Sequence, residues 1–313
     1  MFRRVSGLGV PSRLALCALA LAGLAAPPSS ACSICGCDPS NGTLGLDRPA
    51  QSELRVALED RYLQKESGSG EAAEAERENR LNLRVQYALP VPRLALQLEI
   101  PVYLWKAHFG PTGVEDDTSR GLGDLSISAR YELLKLGGIV PRHVLALTAT
   151  LKVPTGANGH LASVDTAGPD EHKQLGTGTW DELFGAFYTY GDFPTIAYAG
   201  LSARINSTNA RGNHFGSALF GTVGVRRSFL ESRKLLLSLD GQFRNAGKDT
   251  TPARTYDPDS GGLLVYASVS AGYALTDALL VRATVQLPIG RALNGTQVER
   301  PVGVLSLAYD FAL

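Results

Sequence analysis

Residues 120–156 read RGLGDLSISARYELLKLGGIVPRHVLALTATLKVPTG, and their pattern decides the fold. In the first half Leu125, Ile127, Ala129, Tyr131 and Leu133 alternate with Asp124, Ser126, Ser128, Arg130 and Glu132, a period of two. In the second half Leu145, Leu147, Ala149, Leu151 and Val153 alternate with Ala146, Thr148, Thr150 and Lys152. Each run has one apolar face and one polar, partly charged face. Each also approaches the ~9–11 residues that a tilted strand needs to cross a bilayer. A strand of a soluble sandwich is shorter, about 5–6 residues. Lipid outside and water inside accounts for both faces, so the hairpin predicts a transmembrane antiparallel β-barrel, an all-β fold.

Outward from this hairpin the same alternation recurs. Leu81, Leu83, Val85, Tyr87 and Leu89 alternate with Asn82, Arg84 and Gln86, and Leu94 to Leu104 place apolar residues at every second position. The spacing predicts about twelve strands: 52–64, 79–89, 94–105, two in the hairpin, 180–190, 195–206, 216–228, 234–244, 263–275, 278–289 and 300–313. Short and long connections alternate, which predicts short periplasmic turns, long outer loops and both termini in the periplasm. The loops expected are 65–78, whose EAAEAERE stretch has helical propensity, 106–121, 155–179 and 245–262. Leu98-Glu99-Ile100-Pro101, Leu151-Lys152-Val153-Pro154 and Val285-Gln286-Leu287-Pro288 form a weak repeat, read as strand termination because proline donates no ladder hydrogen bond.

The 313 residues divide into a signal peptide (1–31), an N-terminal periplasmic segment (32–50) and the barrel (51–313). Arg3, Arg4 and Arg13 precede an apolar run from Leu14 to Ala26, with Ser29 and Ala31 placed for cleavage. The chain is formally neutral, and removing three arginines leaves 27 − 30 = −3. That balance gives no reason to expect a nucleic-acid partner. Outside the signal, no apolar run approaches the ~20 residues of a membrane helix.

Beyond Arg120, three motifs resemble a known family. Gly121-Leu122-Gly123-Asp124 with Tyr131, Lys152-Val153-Pro154-Thr155-Gly156 and Gly176-Thr177-Gly178-Thr179 are similar to the pattern of the outer-membrane transporter family named for the phenol-degradation meta pathway. The resemblance implies a channel or transporter in a Gram-negative outer membrane and brings no catalytic residues with it. Phenol itself is not implied as the solute. Leu313 stands where outer-membrane barrels usually end in phenylalanine, with Phe311 two residues before it.

Three groups of residues carry candidate chemistry. Cys32, Cys35 and Cys37 have spacing that lets thiolates converge on a soft metal such as Cu or Zn. Lipidation of Cys32, or a disulfide between Cys35 and Cys37, competes with that reading. His108, His160, His172 and His214 fall in expected loops and His143 beside a turn, a scatter read as solvated. The inward faces carry Arg55, Arg84, Glu99, Asp124, Arg130, Glu132, Lys152, Arg226, Asp240, Arg244 and Arg282. They either line a water-filled path for a small solute, hydrophobic, aromatic or metal-related, or pair across a closed lumen and fill it. Twelve strands lie between solid eight-stranded barrels and wide sixteen-stranded ones. No GxSxG occurs and no strand carries a Ser/His pair, so catalysis is not expected.

Overall fold

The computed structural model describes residues 52–68, 74–110, 112–137, 141–161, 170–191, 193–229 and 234–312. The stretch expected to be a signal peptide and the cysteine-bearing segment, with Cys32, Cys35 and Cys37, lie outside them.

The strands are β1 (Glu53–Ser67), β2 (Glu74–Ala88), β3 (Leu94–Phe109), β4 (Glu115–Leu122), β5 (Leu125–Leu136), β6 (His143–Val153) and β7 (Asp181–Tyr190). They continue as β8 (Thr195–Asn206), β9 (Ala218–Phe229), β10 (Leu235–Ala246), β11 (Gly262–Ala274), β12 (Leu279–Leu293), β13 (Val298–Glu299) and β14 (Val302–Ala312). β4 and β5 both pair with β3, and β13 and β14 both pair with β1, so fourteen segments act as twelve strands. Every pairing is antiparallel, and β1 closes the sheet by pairing β14 on one edge and β2 on the other. Closure removes the free edges that lipid cannot satisfy.

The two faces divide as the sequence pattern requires. Leu147, Leu151, Val223, Val269, Leu287 and Leu305 point outward and are exposed, while Ser128, Arg130, Thr150, Arg244 and Ser268 point inward and are buried. Outward aromatic residues cluster towards the short-turn end, including Tyr131, Tyr188, Tyr190, Phe229, Tyr273 and Tyr309. Towards the opposite end Tyr62 meets Trp105 edge to face, with ring centroids 6.1 Å apart. Aromatic rings at both heights are the girdles of a membrane barrel.

Several boundaries differ from those read in the sequence. Residues 65–78 are not wholly loop: β1 and β2 stay paired up to Ser67↔Glu74, and the helix-favouring Glu76 and Glu78 lie in β2. Inward Lys65, Glu76 and Glu78 are buried there. Residues 106–121 also contain structure, because β3 continues to Phe109 and β4 pairs with it. The last strand is interrupted between Glu299 and Val302, around Pro301. Two prolines of the weak repeat lie within strands, where a neighbour is lost. β3 changes partner from β5 to β4 between Glu99 and Val102, around Pro101, and β12 leaves β14 after Gln286, two residues before Pro288. A missing N–H costs nothing at a point where the ladder is already broken.

Candidate functional site

The three sequence motifs meet in space at the inner wall of the barrel. Asp124, at the break between β4 and β5, accepts hydrogen bonds from the Gly156 N–H at 3.0 Å, the Thr177 N–H at 2.8 Å and the Thr177 hydroxyl at 2.9 Å. Lys152, at the end of β6, places its ammonium 3.1 Å from Asp124 and 2.5 Å from Asp181, and also donates to Thr177 and Thr179. Glycine is required where the backbones touch. A Cβ on Gly156 would lie 2.8 Å from the Gly176 Cα and 2.9 Å from the Gly123 carbonyl carbon.

This anchor turns residues 170–180, the part of the β6–β7 connection that precedes β7, into the barrel mouth. Glu171, Gln174, Leu175, Gly176 and Thr177 line a cavity of about 140 Å3 together with wall residues such as Arg80, Lys106 and Arg204. Lys173, Gln174 and Thr179 are buried. The wall holds the segment from below, where Lys106 donates to the carbonyls of His172 at 2.6 Å and Gln174 at 2.9 Å. Other loops hold it from the rim. Glu171 receives Arg211 Nε at 2.5 Å, Asn213 at 2.7 Å and Asn209 at 3.0 Å. His172 lies 3.6 Å from Asp257, and His160 lies 2.9 Å from Asp117.

Below this cavity is a second of about 110 Å3, lined by Arg55, Arg84, Arg226, Arg282, Glu59 and Asp240 among others. Glu99 lines both cavities. Arg84 bridges Glu99 at 2.8 Å and Glu59 at 2.9 Å, and Arg55 forks onto Asp310 at 2.6 and 2.7 Å. Ser238, Ser270, Thr284 and Ser306 add hydroxyls to the same lining. Charged and hydroxyl side chains thus line both chambers, and several of the charges are paired locally.

The sequence-identified lumen residues divide into two groups. Arg84, Glu99, Arg226, Asp240 and Arg282 line the lower chamber, and Glu99, Asp124 and Lys152 line the upper one. Arg130, Glu132 and Arg244 point inward without lining either. Glu132 pairs with Arg130 at 2.8 Å, and Arg244 pairs with Glu299 at 2.7 Å, with both side chains 2% exposed. These pairs fill part of the bore. Elsewhere Phe187 stacks on Tyr198 inside the wall, with centroids 5.9 Å apart.

The histidines are not simply solvated. His108 is 5% exposed on the inner wall, and His143 contacts the Tyr188 hydroxyl at 2.6 Å. His214 bridges the backbones of Thr208 and Thr250. Burial opposes protonation of His172, yet Asp257, Asp170 and Asp249 outweigh it and hold its pKa up at about 9. The same contact with His172 holds Asp257 below the usual carboxylate value, against partial burial. Among the described residues no three His, Cys, Asp or Glu side chains are grouped to hold a metal ion. Sequence reasoning missed Thr177, Glu171, Arg211 and the inward Lys106. Only the polar motifs at 121–124, 152–156 and 176–179 hinted at them, because their contacts join distant loops.

No family model matches this sequence, and no curated protein matches it. Among solved structures the chain is similar to an outer membrane channel from Pseudomonas putida F1, with TM-score 0.66 and 13% identity over 85% of this chain and 98% of that one. The beta domain of the Bordetella autotransporter BrkA gives TM-score 0.49 and 12% identity, over 83% of this chain and 100% of that one. The translocator domain of the autotransporter NalP from Neisseria meningitidis gives 0.46 and 14%, over 87% and 93%. The first likeness shows a shared fold, the twelve-stranded barrel of outer-membrane proteins. The other two add no argument.

Proposed function

We propose that this barrel is a conduit for small polar solutes across the outer membrane of a Gram-negative bacterium, with the inward β6–β7 segment as its constriction. The observation that carries the reading is the arrangement of two polar chambers in series, sharing Glu99 and capped by a segment anchored at Asp124 and Lys152. A barrel that only needed stability would gain more from an apolar filling than from compensated charges. The chambers' mixed charge favours small hydrophilic solutes. No step of bond making or breaking is assigned to any of these residues.

Placement of the short turns and both termini on the periplasmic side follows the usual build of such barrels. The resemblance of the three motifs to the family named for phenol degradation supports a transport role, and an aromatic or metal-related cargo is the narrower form of it. Cys32, Cys35 and Cys37 would then stand at the periplasmic mouth, where thiolates suit Cu or Zn.

A second reading, a structural or metal-binding barrel with a closed lumen, is favoured by the buried pairs Arg130–Glu132 and Arg244–Glu299. Liposome swelling separates the two. Protein refolded with and without residues 32–50 is reconstituted, and influx of sugars, amino acids and small aromatic acids of graded size is followed by light scattering. Size-limited influx in either form supports the conduit. Absence of influx in both forms contradicts it and leaves the closed barrel.

A further inference from the structure

His172 sits at a point where the inward segment touches both the rim and the wall. Its Nε2 faces Asp257 at 3.6 Å, on the connection between β10 and β11. Its carbonyl receives Lys106 from β3 at 2.6 Å. Its Nδ1 is buried without a hydrogen-bond partner among the described residues. The ring helps to line a small enclosed space of about 10 Å3 between the segment and the β1–β2 hairpin. Asp170, two residues earlier, accepts the His172 N–H at 2.9 Å, so the backbone that carries the ring is fixed as well.

The groups facing His172 from each side are largely acidic on the rim and mixed on the wall. From its own segment come Asp170, Glu171 and Lys173. From the rim loops come Asp249, Asp257, His214 and Arg211. From the wall come Glu74 and Glu76 on β2, Lys65 on β1, and Lys106 and His108 on β3, while Glu66 borders the same space with its carboxylate turned outward to Arg300. Glu76 is 4% exposed and has its own counter-charge in the Lys106 ammonium at 3.6 Å. An imidazolium beside Asp257 compensates that carboxylate and its acidic neighbours Asp170 and Asp249. A neutral imidazole leaves the carboxylates of Asp257, Asp170 and Asp249 without that counter-charge, and its segment is held more weakly.

Resting on the conduit reading for its purpose, we propose that protonated His172 is a removable pin that holds the inward segment in the barrel mouth, and that its deprotonation releases the segment. The sign follows from the group's raised value of about 9. The stabilisation is complete below the value of about 6.5 that the ring has when released, and it is lost as pH rises through about 9. A shift of that size weakens the latch roughly 300-fold in equilibrium, since each pKa unit is tenfold. The pin is set at neutral pH and drawn in alkaline medium.

Lys173 provides the readout, because its side chain is 6% exposed beside His172 and trypsin reaches it only when the segment leaves the mouth. Full-length refolded protein in detergent is digested from pH 7 to 10, with cleavage at Lys173 followed by mass spectrometry against cleavage at exposed Arg254. Heat-modifiable migration confirms the barrel in each sample. In wild type, relative cleavage at Lys173 is expected to rise at least tenfold with a midpoint near pH 9. His172→Gln is expected to be cut rapidly already at pH 7, while His172→Arg, which keeps its charge, stays protected throughout. Equal cleavage across the pH range in wild type, or a His172→Gln profile identical to wild type, overturns the proposal. Alkaline release in a barrel that passes no solute would uphold the pin and refute the conduit instead.

Discussion

Thr177 gives both its backbone N–H and its hydroxyl to one oxygen of Asp124, at 2.8 and 2.9 Å, across 53 residues of sequence. Asp124 belongs to the wall and Thr177 to the connection that the wall encloses. This pair of hydrogen bonds to a carboxylate is worth more than a neutral pair, and it fixes how far the segment reaches into the bore.

Asp124→Ala removes three acceptor contacts at once, those from Gly156 N, Thr177 N and Thr177 Oγ1. Lys152 keeps Asp181 as partner, so the barrel still folds. The expected result is faster amide hydrogen exchange over residues 174–178, by about tenfold or more, with strand protection unchanged. Unaltered exchange would show that Asp124 does not anchor the segment.

Gly156→Ala tests the same contact by sterics. Its Cβ would come within 2.9 Å of backbone on two sides, at Gly176 and Gly123, and backbone cannot step aside as a side chain does. The variant should show the same loosening of residues 174–178 as Asp124→Ala. If the two variants are combined, the second substitution should add little, since both break one junction.

How much of this was legible beforehand depended on the environment of each residue. The β5–β6 hairpin was readable because lipid on one side and water on the other impose a strict alternation, whereas β8, at the expected 195–206, alternates more weakly and left its register open. The upper parts of β1 and β2 were not readable. There Lys65, Glu76 and Glu78 point inward while Gln64, Glu66 and Arg77 lie outward, so both faces are polar and no period of two survives. Strand β4, EDDTSRGL, fails for the same reason. The lumen residues were legible as inward-facing, but whether each lines a chamber or fills the wall was not. That depends on the partner across the bore, such as Glu299 for Arg244, 55 residues away. The inward segment was least legible, since its contacts with Arg211, Asp257 and Lys106 come from three separate connections and strands.

Arg244 and Glu299 are buried together at 2.7 Å, and Tyr266 also donates to Glu299. Removing one partner leaves a buried charge, which costs about 3–5 kcal/mol. Arg244→Met should therefore lower stability in urea unfolding from detergent micelles by that amount. Arg244→Met with Glu299→Gln should recover a large part of it. Full additivity of the two losses would contradict a direct pairing.

The outer face can be tested independently. Val269 points outward in β11 and is 56% exposed. In lipid, Val269→Arg should destabilise by about 2–4 kcal/mol if the site lies near the bilayer midplane. The same change at Val114, exposed in the connection before β4, should cost nothing measurable. Equal tolerance at both positions would argue against a lipid-facing β11.

Acid should also weaken the rim contact. His172 holds Asp257 below its ordinary value near 3.8, so its contribution is present above that value and is lost as pH falls through the lowered one. Cleavage at Lys173 by an acid-stable protease of suitable specificity should stay slow at pH 5 and rise only at strongly acid pH. Asp257→Asn should raise it at pH 5.

The most direct measurement is single-channel conductance in planar bilayers, comparing wild type, protein lacking residues 32–50 and that shorter form with Asp124→Ala. The account predicts steady conductance in the shorter form and a severalfold increase once the Asp124 anchor is removed. Silence in all three forms, with folded barrels verified by heat-modifiable migration, would contradict it and leave a closed barrel.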